Sequence, residues 1–131
     1  MSTTTRAPRH GACLAAILGL GLIVSGCHAG PDDAAGQAKE LADPVRRQNA
    51  IANIQRLYAA ALANNDGNRD AAPVKAVTDA TVEALTQTYV DHPEDNQNRA
   101  AIMELLAEMR DPRAIPAFIE AFDWRPEVNE G

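Results

Sequence analysis

The dipeptide Asp-Pro occurs at Asp43-Pro44 and again at Asp111-Pro112, and each copy opens a stretch whose apolar residues recur every three or four positions. An aspartate side chain can accept the free N–H groups of a first helical turn. A proline at the first helical position gives up an N–H that would have no partner anyway. Both dipeptides therefore mark helix starts. No segment alternates apolar and polar residues at period two for long enough to suggest a sheet. The chain is expected to be all-α.

The spacing predicts four helices. The first covers residues 44–63, with Ile51, Ile54, Leu57, Tyr58 and Leu62 on one face. It ends at Asn64-Asn65-Asp66-Gly67-Asn68, residues that tolerate left-handed backbone. The second covers 72–90, with Val74, Val77, Val82, Leu85 and Tyr89 facing inward, and His92-Pro93 stops it. The third covers 96–109, with Ile102, Leu105, Leu106 and Met109 inside. A short fourth follows Asp111, where Ile115, Phe118, Ile119 and Phe122 make one stripe. Spacing places Tyr58 and Tyr89 in the core.

Upstream of these helices lies a segment with a different purpose. Arg6 and Arg9 precede an uncharged run of about 13 residues, 12–24, which is too short to span a bilayer as a helix. The run closes on Val24-Ser25-Gly26-Cys27. This resembles the lipobox of bacterial lipoprotein signal peptides: an aliphatic residue, two small ones and a Cys. The resemblance implies that a peptidase cuts between Gly26 and Cys27 and that the Cys27 thiol carries lipid. Two or three acyl chains on one residue anchor a protein stably, whereas a single chain holds marginally. Cys13 would be discarded with the signal, and the one Cys left would be acylated, so no internal disulfide could form. An Asp after the lipidated Cys resembles an inner-membrane retention signal. His28 stands there instead, which favours the outer membrane of the envelope where one exists.

The chain accordingly divides into a signal peptide at 1–26, a lipidated Cys with a flexible tether at 27–42, a helical domain at 43–123 and a polar tail at 124–131. The tether reading rests on Gly, Pro, Asp, Ala and Gln without a large apolar cluster. Loss of Arg6 and Arg9 with the signal moves the formal charge from −6 to −8. Such an acidic chain argues against nucleic acid as a partner, and against contact with anionic head groups other than through the anchor.

The segment running from Asn98 to Phe122 resembles one HEAT-like repeat. The match centres on Asp111-Pro112-Arg113-Ala114-Ile115-Pro116-Ala117-Phe118-Ile119, similar to the D-P-R-A-I-P-x-L-I-x-A-L second helix of bacterial HEAT repeats with Phe for Leu. Residues 43–90 read as a divergent first copy. The resemblance implies two antiparallel helix pairs of α-solenoid type that bind a protein on their concave side, with Ile115 and the aromatics packed on the preceding helix. It brings no catalytic residues. Solenoids generally need about three or more repeats, so two pairs leave an apolar flank beside the fourth helix. A fragment of a longer array, self-association and a small four-helix bundle each accommodate that flank.

Other motifs carry little chemistry. Asp66-Gly67-Asn68-Arg69-Asp70 begins like a calcium loop, but Ala71 and Val77 stand where its glycine and bidentate Glu belong. Asp91-His92-Pro93-Glu94-Asp95 reads as a solvated turn in which Glu94 or Asp95 starts the next helix. There is no Ser–His–Asp set, phosphate loop or Cys-x-x-Cys, so no enzyme, cofactor or metal is expected beyond the lipid on Cys27. Trp124 and Arg125, at the end of the last helix, are the candidate partner contacts.

Overall fold

The computed structural model describes residues 29–123. Five α-helices follow one another: α1 (Ala34–Glu40), α2 (Arg47–Ala63), α3 (Ala72–Asp91), α4 (Asn96–Met109) and α5 (Ile115–Asp123), the last preceded by a single 3-10 turn over Pro112–Ala114. There is no strand among the described residues, and the all-α expectation holds. No helix there is long and apolar enough to cross a membrane.

The caps explain the boundaries. Asp95 Oδ1 accepts from Asn98 N at the start of α4, and Asp111 Oδ1 accepts from Arg113 N at 2.9 Å before α5. The first Asp-Pro acts in the same way: Asp43 accepts from Val45 N through Oδ1, and its carbonyl accepts from Arg47 N at 2.8 Å. Regular α2 then begins at Arg47, three residues later than the proline suggested. The α2–α3 loop turns at Asp66 (φ 53°) and Gly67 (φ 75°), and Gly67 N caps the carbonyl of Leu62. At the end of α4, Arg110 takes the left-handed conformation (φ 54°) and returns its N–H to Leu106 O.

α3 is the centre of the bundle, with α1, α2, α4 and α5 all packed against it. Ile51, Ile54 and Tyr58 of α2 meet Val74, Val82 and Leu85 of α3 and Ile102, Leu105 and Leu106 of α4 in one core, each nearly inaccessible to solvent. A helix so enclosed must settle its own polar groups. Thr78, Thr81, Thr86 and Thr88 are buried on α3, and each donates its hydroxyl to the carbonyl one turn earlier, at 2.7–3.2 Å. These bonds satisfy the hydroxyls without help from other helices.

One expectation is corrected here. The described part of the segment read as a flexible tether, from Ala29 to Ala42, is folded onto the domain. Asp33 caps α1 by accepting from Gly36 N, and Leu41 is only 1 % exposed. Gln37, buried to the same degree, donates to the carbonyls of Ala29 and Gly30 and accepts from Asn53 Nδ2 of α2. Ala29 N itself donates to Glu40 Oε1 at 3.1 Å. The chain doubles back so closely that a Cβ on Gly36 would collide with Ala29 and Asp33. A polar composition hid this element because a buried glutamine, rather than an apolar stripe, fastens it.

Candidate functional site

α5 enters the bundle through its smallest residues. Ala117 of α5 and Ala114 of the preceding 3-10 turn are fully buried, which lets the backbone come close to α3. The consequence is the reverse of the expected packing. Ile115, Ile119 and Phe122, spaced i, i+4 and i+7, are 53 %, 56 % and 89 % exposed, and of the predicted stripe Phe118 alone packs against the core. α5 makes its extensive contacts with α3 rather than with the preceding helix α4. The result is a narrow apolar edge along one side of the last helix, open to solvent. Surface apolar residues clustered in this way mark interaction sites more often than isolated ones do.

The corner between α3 and α4, expected to be a solvated turn, is tied down by a residue of α2. Arg47, 4 % exposed, donates Nε to Leu41 O and Nη1 to Asp95 Oδ2, both at 2.9 Å. Its Nη2 lies 2.9 Å from His92 Nε2. Arginine can only donate, so in this contact Nε2 is the acceptor. The other ring nitrogen, Nδ1, lies 3.5 Å from Glu94 Oε1. The imidazole and carboxylates thus serve to lock α1, α2 and the α3–α4 corner together. Sequence reading missed Arg47, because arginines such as the Arg46-Arg47 pair are ordinarily solvated.

A second ionic cluster fixes the start of α5. Arg113 donates Nε and Nη2 to Asp111 and also reaches Asp79 Oδ1 on α3 at 2.6 Å. The bonds from Arg113 hold the Asp111 carboxyl below its ordinary value against the opposing effect of burial. At Asp95 burial is the largest influence and acts upward, yet bonds from Asn98 and Arg47 outweigh it, and the net direction is again down. Both carboxyls therefore bind a proton more weakly in the folded than in the unfolded chain. Their contribution to stability is complete above the unfolded value near pH 4 and disappears as pH falls through their lowered folded values. Thermal melts should accordingly hold their midpoint from pH 7 to about pH 5 and drop steeply below about pH 4. Asp95→Asn should start lower and lose less on acidification.

The calcium-like loop shows no convergence of oxygens. Asn68 Oδ1 accepts from Asp70 N, Arg69 Nε donates to Glu108 O, and Asp70 lies 3.8 Å from Lys75. No group of His, Cys, Asp and Glu among the described residues could hold a metal ion. Tyr58 is buried and donates its hydroxyl to Glu108 O at 3.2 Å, tying α2 to the end of α4. Of the residues singled out from sequence, Gly26, Cys27, Trp124 and Arg125 lie outside the described residues. No protein-family model, curated protein or solved structure matches the chain.

Proposed function

We propose that this protein is a lipid-anchored component of the bacterial cell envelope whose HEAT-like helical domain binds another protein and performs no chemistry. Cys27 carries the lipid after cleavage behind Gly26, with the outer membrane favoured over the inner. In this reading α2–α3 and α4–α5 correspond to two divergent repeat pairs. The observation that carries the binding role is the exposed edge of Ile115, Ile119 and Phe122 on the last helix. Trp124 and Arg125, which follow Asp123 directly in the chain, are proposed as further partner contacts.

The same edge supports a second reading, in which two copies associate through it and the protein is a structural subunit of the envelope. One preparation tests both. The full chain and its Cys27→Ala variant are expressed in a bacterium with labelled palmitate, and the membranes are fractionated. Label and membrane retention should be present in the parent and absent from the variant; an unlabelled, secreted parent would remove the anchor from the proposal. Light scattering on the soluble Cys27→Ala protein at high micromolar concentration then decides between the readings, since a clean monomer eliminates self-association.

A further inference from the structure

Arg99, in the first turns of α4, breaks the rule that a buried charge is paired. The residue is 6 % exposed, Nη1 is buried with no hydrogen-bond partner, and no carboxylate among the described residues pairs with the guanidinium. The guanidinium lies over the ring of Tyr89 on α3, whose centroid is 4.1 Å from Cζ. An arginine cannot shed its charge, and a cation near the start of a helix is opposed by the helix dipole. Arg99 thus stands where burial and helix dipole both penalise its charge.

It also lines a cleft. Because α5 leans on α3, the seam between α4 and α5 is open, and Tyr89, Asn96, Arg99, Ala100, Met103 and Ala121 line an open cleft of about 240 Å³. Tyr89 forms an aromatic wall, Ala100, Met103 and Ala121 an apolar one, and Asn96 adds a carboxamide beside the charge. We propose that this cleft is a binding site for a carboxylate borne on a short apolar body. Nη1 is sealed from solvent, so the edge of the guanidinium that a carboxylate would meet is Nε and Nη2, which match it with two parallel bonds, while the aromatic face fixes the plane of the fork. Phosphate fits poorly: it is more strongly hydrated, and most of the lining offers it no donor. A cavity of about 150 Å³ takes a six-carbon ring, so a cleft of this size admits a short apolar body. A free short-chain acid and the carboxylate of a glutamate on a polypeptide share this chemistry. The site is independent of the lipid on Cys27.

The test is a titration of the purified Cys27→Ala chain with sodium butyrate, with butyramide and sodium chloride at matched ionic strength as controls, following the Arg99 Nε–H resonance by NMR. A saturable shift with butyrate and none with either control is expected. Affinity, read from backbone amides around the cleft, should fall more than about tenfold in Arg99→Met. Met fills similar space without charge, so that variant should remain folded, with a melting temperature at or above the parent's. N-acetyl-glutamate amide forms a parallel arm. Tighter binding than butyrate would identify a protein-borne carboxylate as the ligand, and weaker binding a free acid. Failure of both probes to give a saturable shift, or shifts that persist unchanged in folded Arg99→Met, would overturn the proposal.

Discussion

Arg47→Ala should lower the stability of the domain by about 3 kcal/mol. The substitution removes the buried stem of the side chain, and the larger loss comes from what it strands. The carbonyl of Leu41 loses Nε, the Asp95 carboxylate loses its cation, and His92 Nε2 loses its donor, all at a corner where Arg47 itself is 4 % exposed. Asp95 keeps its bonds from Asn98 and is partly hydrated, which limits the cost. For a domain of this size the melting temperature should fall by roughly 12–20 °C, measured by circular dichroism. Arg47→Lys retains the charge but not the three-way geometry and should fall between the two. A drop of less than about 1 kcal/mol would show that water replaces the guanidinium without loss.

Truncation gives the second large effect. A chain beginning at Asp43, where the sequence pattern first announces a helix, lacks α1 and Leu41. Removing them exposes the faces of α2 and α3 that α1 covers and leaves Asn53 without Gln37 and Arg47 without the Leu41 carbonyl. Burial of a leucine is worth about 2–3 kcal/mol and each orphaned polar group about 1 more. The combined loss, about 4 kcal/mol or greater, is most of what a domain of some 80 residues possesses. Urea denaturation should show a chain starting at Ala29 unfolding cooperatively, and one starting at Asp43 largely unfolded before denaturant is added. Equal midpoints would restore the tether as a mere linker.

The helical class and several boundaries were legible because local rules determine them. The third predicted helix, 96–109, coincides with α4, whose start is fixed by a side-chain cap on Asp95 and whose end is a left-handed Arg110. The core faces of α2, α3 and α4 followed from spacing, since Ile54, Leu85 and Leu105 are buried on the helix faces that the pattern selects. What escaped depends on contacts distant in sequence. α1 is invisible as an amphipathic helix because Gln37 does the anchoring, and its partners lie on Asn53 and on the incoming backbone. The orientation of α5 was misjudged because burial of the larger apolar residues is the usual default. Here alanines face inward, and close approach to α3 decides the outcome. Neither Arg47, which follows Arg46, nor Arg99 is marked in the sequence as a buried cation. Only the fold separates a saturated guanidinium from one left without a counter-charge.

The fastening of Ala29 alters the geometry of attachment to a bilayer. A loose segment spanning residues 27–42 could stretch about 50 Å and let the domain swing freely. With Ala29 hydrogen-bonded to Glu40 and Gln37, the span left between Cys27 and the folded body is about 7 Å. On the proposed anchor the distance between the domain and the bilayer would be set by the folded body and its two-residue connection, with no slack linker to extend it.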